Sequence, residues 1–174
     1  MRFSRIETDR LLLREWREED VEELLRMTAD AEWRRFMSSA AETPAEAWRT
    51  IALFLGHLAL RGYTMWAVEE KDTGEFVGHL GPWRPFGWPD LEIGWSIDRS
   101  RWGRGYAVEA ARAAAAWVVD ELGATSVVHL IDPGNVASIR VAEKLGARLD
   151  GTFTMPTGAH STVNVYRTAL PLSS

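Results

Sequence analysis

The alternation of apolar and polar side chains divides the chain into short elements of two kinds. "RLLLREW" (10–16) is a brief apolar run and reads as a first strand. In "REEDVEELLRMTAD" (17–30), Val21, Leu24, Leu25 and Thr28 recur at helical spacing behind a first turn rich in acids, which suit the positive end of a helix dipole. "TPAEAWRTIALFLGHLALRG" (43–62) carries its own punctuation: Thr43 as N-cap, Pro44 at the first helical position, Glu46 completing a capping box, and Gly62 as the stop. "YTMWAVEEK" (63–71) and "EFVGHLGPW" (75–83) read as strands joined by "DTG", a hairpin signal. In "DLEIGWSID" (90–98), Leu91, Ile93, Trp95 and Ile97 share one face of a strand, and Glu92, Gly94, Ser96 and Asp98 share the other.

A helix is predicted from about Arg104 to Leu122, ended by Gly123. "TSVVHLID" (125–132) is nearly continuous in apolar residues, the mark of a strand buried on both faces. "PGNVASIRVAEKLG" (133–146) reads as a helix stopped at Gly146, and "ARLDGTFTM" (147–155) and "STVNVYRTAL" (161–170) as two closing strands. The order β-α-α-β-β-β-α-β-α-β-β predicts an α/β (mixed α+β) fold, one mixed sheet with helices packed on its faces. A length of 174 residues fits a single domain with a full core, and no repeat, linker or low-complexity tail interrupts it.

Composition narrows the chemistry. With 46% hydrophobic and 26% charged residues the chain is globular, and its net charge of −5 argues against a general nucleic-acid binder, so any anion site must be local. The absence of cysteine excludes disulfides, thiolate metal sites and a cysteine nucleophile. His57, His79, His129 and His160 show no His-Glu-x-x-His spacing, so no metal is expected. The start "MRFSRIETDR" is too charged for a signal peptide and the longest apolar run, "IALFLGHLAL" (51–60), is too short to span a bilayer; a cytoplasmic protein without membrane contact is expected. Nine tryptophans serve either core packing or an aromatic-lined pocket. Trp83 and Trp88, in the loop "GPWRPFGWPD" (81–90), are the candidates for the latter.

The stretch "RSRWGRGYAVEAARAAAAW" (99–117) raises the sharpest question. Gly103 and Gly105 stand among Arg99, Arg101 and Arg104, directly before a helix whose first amides lack intrahelical partners. Glycines there let several amides converge on an anion that approaches without meeting a Cβ. The alternative is a plain strand-to-helix loop with solvated arginines. The motif is not a Walker A loop, which needs Gly-Lys-Ser/Thr. It departs from the dinucleotide fingerprint because Val108 takes the third, small position, although Asp132 lies near the place of a ribose-binding acid. Nor is "GWSID" a nucleophile elbow: Gly94 and Ser96 are followed by Asp98, and Ser96 lies inside a strand.

Taken together, "WGRGYAVEAARAAAAWVVDELG", "IDPGNVASIRVAEKLGA" and the opening "ETDRLLLREWREEDVEEL" resemble the GCN5-related N-acetyltransferases (GNAT superfamily), in particular the RimJ/RimL-type branch, over about residues 6 to 170. The resemblance implies a mostly antiparallel twisted sheet of about seven strands, two of which splay apart to admit the pantetheine arm of acetyl-CoA. Those strands would be "DLEIGWSID" and "TSVVHLID", with backbone groups around Trp95, Ile97 and Asp98 pairing with pantetheine. The family's Gln/Arg-x-x-Gly-x-Gly/Ala loop falls on Trp102, Gly103, Arg104, Gly105, Tyr106 and Ala107, with Trp102 in place of Gln/Arg. Asn135 and Ser138 match the family's Asn-x-x-Ser.

The implied reaction moves an acetyl group from acetyl-CoA to a primary amine, a peptide N-terminus or a small-molecule amine. Without cysteine no acetyl-cysteine intermediate can form, so direct attack in a ternary complex is expected. Glu92 is the candidate base, acting through a water; an unpaired carboxylate in a covered strand is costly, and partial burial would raise its pKa toward working pH. A salt bridge or a solvent-facing edge is the competing role. Ser138 is the candidate donor to the departing sulfur, or else bonds its own backbone. Ala142 stands where many relatives carry a tyrosine. A backbone amide of 92–95 would stabilise the oxyanion. His79 either lines the acceptor side with Trp83 and Trp88 or belongs to the core. A non-catalytic acyl-CoA or nucleotide-binding module is the alternative, and a homodimer is expected by resemblance alone.

Overall fold

The computed structural model describes residues 5–37, 40–156 and 162–172. Its sheet has eight strands in the order β1-β2-β3-β4-β5-β6-β8-β7. They are β1 (Ile6–Glu7), β2 (Leu11–Arg14), β3 (Trp66–Glu70), β4 (Phe76–Trp83), β5 (Glu92–Ile97), β6 (Ser126–Ile131), β7 (Arg148–Thr154) and β8 (Thr162–Ala169). The helices are α1 (Asp20–Thr28), α2 (Ala31–Arg34), α3 (Pro44–Arg61), α4 (Tyr106–Leu122) and α5 (Val136–Lys144). All neighbouring strands run antiparallel except β5 and β6.

Two elements exceed the expectation of about seven strands and four helices. β1 is a two-residue strand held on β2 by Ile6↔Leu13 and Glu7↔Leu12. α2 is a single turn started by Asp30, whose Oδ1 accepts from the amides of Glu32 and Trp33, both at 2.9 Å. Neither is long enough to show a hydrophobic period.

The alternation along each strand assigns the two faces. Leu11, Leu13, Trp66, Val68, Ile93 and Ile97 face α4, which meets them with Ala110, Ala111, Ala114 and Val118. The small alanine side chains let this helix lie close to the sheet. On the opposite face Trp16, Leu24, Met27, Ile51, Phe54 and Phe76 form a second core beneath α1 and α3. Glu92, Gly94, Ser96 and Asp98 fall on this second side, as the alternation in "DLEIGWSID" predicts.

Caps set the helix boundaries. α3 has the predicted capping box at Thr43 and Glu46, and it ends at Gly62 in the left-handed conformation, φ 82°. α4 starts at Tyr106, two residues after the expected Arg104, because Gly103 and Gly105 have φ of 76° and 81°. α5 starts at Val136, after a turn in which Asp132 accepts from Gly134 (2.7 Å) and Asn135 (2.9 Å). Among the described residues no helix is long and apolar enough to cross a membrane.

Candidate active site

The site is built where β5 and β6 stop pairing. Val128 donates its amide to Leu91 O at 2.9 Å, and Glu92↔Val128 is the single register pair between the two strands. Beyond it, side chains take over the ladder's bonds. His129 Nδ1 lies 2.7 Å from the Ile93 carbonyl, and its Nε2 lies 3.0 Å from Thr168 Oγ1. A carbonyl can only accept, so Nδ1 carries the proton and Nε2 accepts from the threonine. Burial pulls the pKa of His129 down to about 4, against the bond to Ile93 that favours the charged form. The ring is therefore a neutral strut between β5 and β8 at neutral pH.

Glu92 sits at the same fork. Its Oε2 accepts from Trp88 Nε1 at 2.6 Å, and its Oε1 accepts from the Leu130 amide at 3.4 Å. The residue is 8% exposed. Burial pushes its pKa up to about 7, while the Trp88 and Leu130 bonds pull the other way. No cation pairs with it among the described residues; the salt bridge that competed with the base role in the sequence is absent there. A cleft of about 190 Å³ opens beside it, bordered by Met65, His79, Trp95, Ser96, Asn135 and Ser138. Gly94 keeps that space clear: a Cβ there would lie 2.5 Å from Met65 Cε and 3.4 Å from Glu92 Oε1.

His79 and Ser96 are register partners on β4 and β5, and both line the cleft. His79 Nδ1 and Ser96 Oγ are buried with no hydrogen-bond partner among the described residues. Burial alone pulls the His79 pKa to about 4, so it too is neutral. On the other side of the cleft, Asn135 caps α5 by accepting from the Ser138 amide at 3.1 Å. Ser138 Oγ accepts from Trp95 Nε1 at 3.3 Å, which leaves its hydroxyl proton free to donate.

The glycine loop lies at the far end of β5. Trp102 is 45% exposed and donates Nε1 to Ile97 O at 2.8 Å, so that carbonyl is already engaged. Asp98 Oδ1 accepts from the Ser100 amide at 2.8 Å, and Asp98 pairs with Arg26 at 2.8 Å. Gly105 is the N-cap residue of α4 and supplies no side-chain cap, so the amides that follow it keep their donors available. Among the described residues nothing lies within 4 Å of the position a Gly103 Cβ would take.

The predicted site residues therefore separate. Glu92, Trp88, His79, Trp95 and Ser138 meet at the fork. Trp83, expected on the acceptor side, instead packs in the core, stacked on His57 at 4.2 Å and edge-on to Phe54 at 5.4 Å. The loop's arginines are not all free charge either: Arg99 pairs with Asp30 at 3.3 Å, and Arg101 pairs with Glu70 at 3.0 Å and also with Glu75. Tyr106 is a buried packing residue whose hydroxyl donates to Glu70. No local pattern in the sequence marks His129, because its partner Ile93 lies 36 positions away.

An uncapped helix start after two left-handed glycines, a parallel pair that separates after one bridge, and a buried carboxyl at the fork form one arrangement. The acetyltransferase (GNAT) domain family matches residues 10–148. The chain is a GNAT acetyltransferase. It is 28% identical to the N-acetyltransferase YnaD of Bacillus subtilis over 148 residues, 85% of each chain. It is also 45% identical to YkkB of Bacillus subtilis over 94 residues, a stretch that spans about half of either protein (53% and 55%).

Solved structures agree in fold. The acetyltransferase from Agrobacterium tumefaciens superimposes with a TM-score of 0.82 at 26% identity, covering 96% of this chain and 95% of that one. RimL, a ribosomal-protein acetyltransferase solved in complex with coenzyme A, superimposes with a TM-score of 0.78 at 21% identity, covering 95% and 98%. This GNAT acetyltransferase thus shares its fold with RimL and belongs to the acetyl-CoA-dependent acyltransferase class. Its own residues fit that donor: the free amides after Gly105 suit a pyrophosphate, and the gap between β5 and β6 suits a narrow arm.

Proposed function

We propose that the protein transfers the acetyl group of acetyl-CoA directly to a primary amine bound in the cleft beside Glu92, a peptide N-terminus or a small-molecule amine. The observation that carries this reading is Glu92 itself: a buried carboxyl without a cation, poised near pH 7, at the point where β5 and β6 part. A base with a pKa near working pH is half ionised there and still basic enough to take a proton. Glu92 accepts the ammonium proton, directly or through one water, and the freed amine attacks. Gly103, Arg104, Gly105, Tyr106 and Ala107 hold the pyrophosphate through their amides. Ser138 donates a hydrogen bond to the departing thiolate, a role left open by Ala142. His79 bounds the acceptor side, and Trp88 holds the base there through its bond to Glu92.

Support for direct transfer comes from composition: the chain has no cysteine to carry the acetyl group. The test is acetyl-CoA turnover against a panel of amines and short peptides, comparing wild type with Glu92→Gln. Loss of turnover with retained CoA binding supports the reading. A wild type that binds CoA and acetylates nothing would favour a binding module, the reading that Ala142 keeps in view.

A further inference from the structure

The loop that opens α4 is braced from behind by Arg10, a residue 94 positions before Arg104. Arg10 precedes β2, and its guanidinium serves two elements at once. Nε donates to Glu109 Oε2 at 2.7 Å, Nη2 pairs with the same oxygen at 2.6 Å, and Nη1 donates to the Arg104 carbonyl at 2.9 Å. Its Cζ lies 4.6 Å from the centre of the Tyr106 ring. Glu109 is fixed in turn by Thr8 Oγ1 at 2.6 Å and by the Arg10 amide at 2.9 Å.

Peptide planarity turns the Arg104 bond into an orientation. In a trans peptide the C=O and the N–H point in opposite directions. With the Arg104 carbonyl turned toward Arg10, the Gly105 N–H points away from it. Arg10 Nη2 lies 3.5 Å from where a Gly105 Cβ would sit, whereas the equivalent position at Gly103 is open. The loop therefore has a braced side and an open side.

We infer that Arg10 is a positioning residue for the pyrophosphate of the acyl donor: it holds the Arg104–Gly105 peptide so that the amides at the start of α4 face the open side. This rests on the reading of the loop under Proposed function. A planar guanidinium can serve a carboxylate and a carbonyl together, whereas a lysine ammonium at the same place keeps the charge and loses the fork.

The test compares acetyl-CoA with S-acetylpantetheine, which has the same thioester and arm but no pyrophosphate. Arg10→Ala and Arg10→Lys are each expected to raise KM for acetyl-CoA about tenfold. KM for acetylpantetheine and kcat with either donor should stay at wild-type values. General loosening of the fold would raise both KM values together. If the ratio of the two KM values stays at the wild-type ratio in both variants, the inference is overturned. Arg10→Lys decides alone if Arg10→Ala does not fold. If wild type itself does not distinguish the two donors, the loop reading fails and takes the inference with it. If wild type distinguishes them and the variants do so equally, only the role of Arg10 falls.

Discussion

At the Glu92 end of β5 a few buried polar groups line a cleft: Glu92 accepts two bonds, His79 Nδ1 and Ser96 Oγ have no partner among the described residues, and no opposite charge meets any of them. At the Asp98 end, water reaches a crowd of charges, and Arg26, Arg99, Arg101 and Arg10 all have acidic partners. The contrast follows the two tasks. Proton transfer needs a group whose pKa has moved, and burial without a counter-charge moves it. Holding a phosphate needs fixed donors and tolerates solvent, so there the charges mostly fix the backbone instead of meeting the ligand. One strand thus separates an end of buried groups without counter-charges from an end of paired charges.

The contrast is broken most severely at Glu92. Glu92→Gln keeps the shape and the Trp88 contact but cannot accept the proton, so kcat should fall by about 10²–10⁴. CoA binding should stay unchanged in a thermal-shift assay. The same variant sharpens the contrast through stability. The folded carboxyl titrates near 7 and the unfolded one near 4.5, so wild type has its full stability from this group below pH 4.5 and loses it as pH rises through 7. A shift of this size corresponds to roughly 3 kcal/mol. Denaturation at pH 5 and pH 8 should show that loss in wild type and not in Glu92→Gln.

Next in size is the binding end. Gly103→Glu places a negative side chain on the open side of the loop, where the pyrophosphate is proposed to lie, and KM for acetyl-CoA should rise at least about a hundredfold. Because φ there is 76°, the variant should also lose about 1–2 kcal/mol of stability. Ser138→Ala removes the donor to the leaving sulfur, together with the acceptor of the Trp95 Nε1 bond, and should lower kcat about tenfold while KM for acetyl-CoA stays near wild type. The smallest effect is expected for Trp88→Phe. It keeps a ring and removes the N–H that favours the ionised carboxylate, so the rising limb of the kcat–pH profile should move up by about one unit. A limb that stays in place would show that Trp88 only packs.

The sheet, the two long helices and the face on which Glu92 lies were legible in the sequence because periodicity and caps are local signals. The capping box at Thr43 and the alternation through 90–98 are examples. The end of pairing after Glu92↔Val128 was not legible from hydrophobic pattern, since "TSVVHLID" reads the same whether or not its neighbour stays bonded. Its position came only from family resemblance. Trp83 and Trp88 show the limit most plainly. Both are tryptophans in or beside one Pro/Gly loop, yet one stacks in the core and the other holds the candidate base. Tertiary contacts with His57 and Glu92 make that difference.

The most direct test of the central claim is the single-turnover rate of acetyl transfer as a function of pH, measured at saturating acetyl-CoA and amine for wild type and Glu92→Gln. A wild-type rate that rises with one-proton slope to a plateau, with a midpoint near 7, and a variant rate that is at least about a hundredfold lower and lacks that limb, is the predicted result. The same limb at the same rate in Glu92→Gln would contradict it.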